Sequence, residues 1–148
     1  MADFILTSNS FKDGDYLPND HVLSEAYGFG CAGGNLSPHL AWTDPPAGTH
    51  SFALTCFDPD ARELALGAGS EGGKLPNGAL QVRTDFGKPG YGGPCPPEGD
   101  HPHRYLFTLH AVSLAELKVT ADTSAAVVGF QLNFNTVAKA TLMGLYKR

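Results

Sequence analysis

The run from Asp85 to Tyr105, DFGKPGYGGPCPPEGDHPHRY, constrains the fold more than any other stretch of this chain. Glycine and proline recur through it with no helical or strand period, so no regular element can occupy most of it. A connection this long inside a small domain is uncommon, and it is usually either functional or disordered. Disorder goes with few aromatics and much charge, whereas this run carries Phe86, Tyr91 and Tyr105. It therefore reads as an ordered loop that shapes a pocket, with His103 and Tyr105 at the pocket's edge.

The loop empties into the clearest strand pattern in the sequence, His103 to Val112. One face carries His103, Tyr105, Phe107, Leu109 and Ala111, and the other Arg104, Leu106, Thr108, His110 and Val112. Apolar groups on both faces predict an inner strand of packed sheets. Phe4 to Thr7 reads as a short strand. Leu40 to Trp42 reads as the start of a hairpin that turns at Pro45-Pro46-Ala47-Gly48 and returns over Ser51 to Phe57. Ala79 to Arg83 is a further strand candidate. Ser113-Leu114-Ala115-Glu116 has capping-box spacing and predicts one helical turn. Thr123 or Ser124 caps a helix expected to run to about Ala138, with Val127, Val128, Gln131, Leu132 and Phe134 as its core stripe. The end, Ala140 to Tyr146, returns as a strand. The 18 glycines and 11 prolines among 148 residues favour a mainly β chain, read here as one domain over 1–148.

Charge and cysteine content exclude several classes of function. A net charge of -5 argues against non-specific nucleic-acid binding, because that needs basic surface. No apolar run approaches the ~20 residues of a membrane span, and no signal-peptide pattern opens the chain. The three cysteines, Cys31, Cys56 and Cys95, show no paired spacing. They read as free thiols in a reducing compartment, which predicts a cytoplasmic protein.

Candidate motifs divide sharply. Gly67 to Gly72 matches GxGxxG, but Lys74-Leu75-Pro76-Asn77-Gly78 cannot open a long helix, so a turn is the better reading. His101 and His103 alternate and could face one metal with Asp60 or Asp100, yet no second ligand pair exists and no metal is expected. Cys95 and His103 could form a nucleophile and base, with Asp58 or Asp60 as orienter, which is the rival reading of a cysteine-dependent hydrolase. Against it, Cys95 lies between Pro94 and Pro96 with no helix start to lower its pKa. Asp58-Pro59-Asp60 follows an apolar β segment. It reads equally as a solvated turn or as a carboxylate that keeps a histidine cationic for anion binding.

Several blocks together resemble the phosphatidylethanolamine-binding protein family, in its bacterial Raf-kinase-inhibitor-like branch. They are Asn35 to Trp42, Phe57-Asp58-Pro59-Asp60-Ala61, Asp85-Phe86-Gly87, Gly90 to Pro97 and His103-Arg104-Tyr105. The resemblance implies a β-sandwich with a large central antiparallel sheet, a smaller sheet and a C-terminal helix. It also implies a non-enzymatic pocket for phosphate or phosphorylethanolamine-type anions, without cofactor. Asp58, Pro59, Asp60, His103 and Tyr105 are the implied pocket residues, and Gly93, Pro94 and Cys95 the wall that offers backbone N–H groups. Inhibition of a kinase or a protease is implied as well, and a two-fold homodimer is the default assembly. One departure stands out. The family pattern continues after Asp-Pro-Asp-Ala with a loop and a strand carrying a His-Trp pair. Here Ala61 runs straight into Arg62 to Leu66, and the second pocket histidine is missing.

Overall fold

The computed structural model describes residues 3–61 and 79–148. Its main sheet has three antiparallel strands in the order β3, β4, β5, namely Ser51–Phe57, His103–Val112 and Thr136–Tyr146. A smaller sheet pairs β1, Ile5–Thr7, with β2, Ala41–Thr43, also antiparallel. Among the described residues the one α-helix, α1 over Ala125–Asn135, leads directly into β5. The mainly β architecture with two sheets and a helix near the C-terminus is the one the sequence predicts.

β4 has the expected bounds and lies in the middle of its sheet. Its alternation explains why. Tyr105, Phe107 and Leu109 are buried on one face among Leu6, Phe11, Leu17, Cys56 and Leu142. At the far end, Val112 packs against Val128 and Leu132 of α1. Ser124 caps α1 as predicted, its Oγ accepting from the Val127 amide at 3.3 Å.

Several local expectations fail for identifiable reasons. Leu40 to Trp42 does not form a hairpin with Ser51 to Phe57: β2 pairs with β1, and β3 pairs with β4. Turn chemistry marks the reversal at Pro45-Pro46 but cannot name the partner across it. Ala79 to Arg83 forms no strand, only an isolated bridge from Arg83 to Pro89. Ser113 starts no helical turn, because its Oγ donates to the Asn135 carbonyl at 3.1 Å instead of capping. The last helix stops at Asn135, where β-branched Thr136 and Val137 begin β5. Of the predicted core stripe, Val128 and Leu132 are buried, but Val127 and Phe134 are exposed. The Gly67 to Gly72 motif lies outside the described residues.

The cysteine reading is overturned. Cys31 and Cys95 form a disulfide, their Cα atoms 5.9 Å apart across 64 residues of sequence, and Cys56 is the free, buried thiol. Partners this far apart leave no trace in local spacing. The argument from cysteines to a reducing, cytoplasmic compartment falls with it. Among the described residues no helix is long and apolar enough to cross a membrane.

Candidate functional site

The site lies where the core face of β3 and β4 runs out. Cys56 pairs with Phe107 in register, both buried. One pleat further on, Asp58 follows Cys56 on the same side, and Tyr105 and His103 follow Phe107. An inward carboxylate and an inward imidazole therefore meet at the sheet's end. Asp58 Oδ2 lies 2.8 Å from His103 Nδ1, with both side chains almost fully buried.

Asp58 is fixed by its own turn. Its Oδ1 accepts from the amides of Asp60 at 2.8 Å and Ala61 at 3.1 Å, so the Asp-Pro-Asp block folds round its first carboxylate. The Tyr105 hydroxyl also faces Asp58. Burial first, and that carboxylate second, push the Tyr105 pKa far above the ordinary phenol value.

Asp60 does a different job. Its Oδ2 accepts from the Arg104 amide at 2.8 Å and from Nε at 3.0 Å, while Oδ1 accepts from Nη2 at 3.0 Å. The guanidinium hydrogen bond holds the Asp60 carboxyl down at about 2. Both its oxygens serve this clamp between the turn and β4.

The sequence reading weighed Asp100 as a metal ligand beside His101 and His103 and missed it as a hydrogen-bond partner of the His103 ring. Its Oδ2 lies 2.8 Å from His103 Nε2, on the side opposite Asp58. A carboxylate acceptor at each ring nitrogen requires both nitrogens to carry protons, so the imidazole is cationic. Burial pulls the His103 pKa down, but the two carboxylates, Asp100 first and then Asp58, outweigh it and raise it above the ordinary value. In the sequence Asp100 looks like one more polar residue of a Gly-Pro turn, and only its spacing of three from His103 hinted at more.

The pocket around this triad is a cavity of about 650 Å³. Asp58, Asp60, Asp100, His103 and Tyr105 form its polar end, and Leu23, Phe29 and Phe86 its apolar side. Gly93 and Cys95 line it too, with the Pro96 to Gly99 turn. Pro59 and Pro94 do not line it. Pro94 is buried behind the wall, where its carbonyl accepts from the Leu23 amide at 3.1 Å.

The wall is tied down firmly. Asn35 spans it, its Nδ2 donating to the Tyr91 carbonyl at 3.0 Å and its Oδ1 accepting from the Gly93 amide at 2.9 Å. The Tyr91 hydroxyl donates to the His21 carbonyl at 2.8 Å. The Gly93 amide is thus engaged by Asn35 and does not point into the pocket as a donor, and Pro94 has no N–H to offer. Cys95 is also removed as a nucleophile, since its sulfur is bonded to Cys31. Among the described residues no group of three or more His, Cys, Asp or Glu side chains is arranged to hold a metal ion.

Fold and site together define a class: a β-sandwich with an Asp–His pocket walled by a Gly-Pro-Cys-Pro loop. The model of the phosphatidylethanolamine-binding protein family matches residues 7–66 and 62–147, and this chain belongs to that family. Among its relatives is YbhB of Escherichia coli (strain K12), 44% identical over 159 aligned positions that cover 95% of this chain and 98% of YbhB. YbcL of the same organism is 43% identical over 165 positions, covering 99% of this chain and 88% of YbcL. The crystal structure of YbcL, described as a member of the mammalian family, superposes with a TM-score of 0.90 and covers 99% of both chains. A family homologue from Chlamydia trachomatis, CT736, is 26% identical with a TM-score of 0.78, covering 98% of this chain and 97% of that one.

Both E. coli alignments are longer than the 148 residues of this chain, so those relatives carry positions it lacks. The two family matches meet at residues 62–66, directly after the Asp-Pro-Asp block. That is where the sequence reading placed the absent loop and strand. Arg62 to Leu66 lies outside the described residues.

Proposed function

We propose that this protein is a binding module whose pocket takes a small oxyanion, phosphate or a phosphorylethanolamine-type group, without chemistry on it. The observation that supports this best is His103, a buried imidazole lining the cavity and carrying both ring protons, with Nδ1 anchored on Asp58 and Nε2 on the part-exposed Asp100. A charge-assisted N–H already held by a carboxylate at a cavity wall is a donor that phosphate oxygens can also use. Asp58 keeps the ring charged and oriented, and Tyr105 backs it. The rival cysteine hydrolase has no thiolate to work with while Cys95 is bonded to Cys31. No feature of the described surface favours a kinase or protease as partner, so the reading stays with the pocket.

Calorimetric titration with inorganic phosphate tests it. His103→Asn keeps an N–H at the Nδ1 position for Asp58 and removes the charge, so phosphate affinity should drop at least about tenfold, the weight of one charge-assisted hydrogen bond. The pH profile has a definite sign. The raised pKa keeps His103 cationic from acid pH to beyond its ordinary 6.5, and binding is lost as pH climbs through the raised value. A phosphate monoester gains its second charge near pH 6 and inorganic phosphate somewhat higher, so affinity should peak between that titration and the loss of the His103 charge. Equal affinity for the wild type and the asparagine variant would place the anion elsewhere.

A further inference from the structure

The imidazolium that would receive the anion already holds one. Of the two carboxylates on His103, Asp58 is immobile: its side chain is 4% exposed and its second oxygen takes two backbone amides. Asp100 is different. Its side chain is 39% exposed, and its support beyond Nε2 is the adjacent His101 amide. It sits at the end of a tight turn. The Asp100 amide donates to the Pro97 carbonyl at 3.3 Å, with Gly99 at φ +79 in the third position, as a type II turn requires. Arg148 pins the backbone on both sides, its Nε donating to the Pro96 carbonyl at 2.7 Å and its carbonyl accepting from the Gly99 amide at 3.4 Å. The turn is therefore fixed, while the carboxylate at its tip can swing out by side-chain rotation alone.

We propose that Asp100 is the specificity-determining residue of this pocket, a built-in carboxylate that occupies the oxyanion position on His103 Nε2 and must be displaced by any ligand that binds there. This rests on the oxyanion reading of the pocket and goes beyond it. A weak acceptor gains nothing by replacing a carboxylate with a carboxylate. A dianionic phosphate offers more charge and more acceptor oxygens, and can win the exchange. Free carboxylates are accordingly excluded in favour of phosphate-type groups. The other charged or titratable groups facing the ring do not compete for Nε2. The His101 ring lies 5.4 Å away, Asp60 is tied to Arg104, Tyr105 faces Asp58, and Glu98 lies out at the cavity's edge with its side chain 83% exposed.

The test compares inorganic phosphate and acetate binding to the wild type, Asp100→Ala and Glu98→Gln, by calorimetry at pH 7, where a substantial share of the inorganic phosphate is dianionic. In all three proteins Asp58 still faces Nδ1, the contact that favours the charged ring when Asp100 is gone. Asp100→Ala should bind phosphate about tenfold tighter, the equivalent of releasing one charge-assisted hydrogen bond. It should also acquire acetate binding that the wild type lacks, acetate filling the vacated carboxylate position. Glu98→Gln removes a charge of the same sign from the same cavity and should change phosphate affinity less than threefold. Equal gains in the two variants would mean general charge repulsion and overturn displacement. Unchanged or weaker phosphate binding in Asp100→Ala, with the wild type still binding, would also overturn it and leave the pocket reading intact. Phosphate binding to none of the three proteins would remove both proposals together.

Discussion

Loss of the Cys31–Cys95 bridge is expected to lower folding stability by about 4 kcal/mol. The bond closes a loop across 64 residues, and constraining the unfolded chain is worth ~3 kcal/mol for a 15-residue loop and ~4.7 for a 100-residue one on the chain-entropy model. In a domain of this size, each kcal/mol moves the melting midpoint by about 2–4 °C. A double Cys31→Ser, Cys95→Ser variant should therefore melt roughly 10 °C below the oxidised wild type. The same bridge pins the pocket wall against Val22, Leu23 and Tyr27, so anion binding should weaken alongside stability. Thiol counting supplies a prior check. In the native, oxidised protein Cys56 is the free cysteine, and burial, helped by the Asp58 charge, pushes its thiol up to about 12. Iodoacetamide at neutral pH should leave the native protein unmodified until a reductant is added. Alkylation of three cysteines without reductant, or a melting midpoint indifferent to reductant, would show that the bond does not form.

The parts of this structure that were legible in advance are those whose signal is local or one-dimensional. β4 could be bounded to the residue because both of its faces alternate over ten positions, His103 to Val112. The helix start was visible because Ser124 sits one residue before the first helical position. Asp58 and His103 could be paired because each occupies a recognisable block, and the sheet register then brings the blocks together. What escaped was long-range or depended on what covers a surface. Cys31 and Cys95 are 64 residues apart, and nothing in their flanks pairs them. Asp100 carries the ordinary chemistry of a turn, and its role appears only once the ring of His103 is seen edge-on to it. The apolar run of α1 looked like a core stripe, but Phe130 and Phe134 pack on each other in the open, 5.2 Å between ring centres. A helix period says which residues share a face, not whether the sheet is wide enough to cover it.

Gly93 is where the pocket wall has least tolerance, and Gly93→Ala is expected to destabilise the protein by about 3 kcal/mol. The reason is contact with backbone, which cannot turn aside as a side chain can. A Cβ at Gly93 would overlap the His21 carbonyl oxygen and lie 2.8 Å from the Leu23 amide nitrogen and 2.9 Å from the Val22 carbonyl carbon. Overpacking a well-filled site costs roughly 1–3 kcal/mol. Here relief requires the 21–23 segment and the wall to part, which breaks the Leu23 to Pro94 hydrogen bond at 3.1 Å and strains the Gly93 to Asn35 bond at 2.9 Å. Each contributes on the order of 1 kcal/mol, and more where a buried donor is left unpaired. Gly129 provides the contrast. It lies inside α1, and a Cβ there would meet nothing within 4 Å. Gly129→Ala should therefore stabilise the protein by about 0.5–1 kcal/mol through helix propensity. Urea unfolding of both variants measures the pair. A Gly93→Ala midpoint equal to the wild type would show that the wall can withdraw from the 21–23 segment at no cost, and the close backbone contact that shapes the pocket would have to be abandoned.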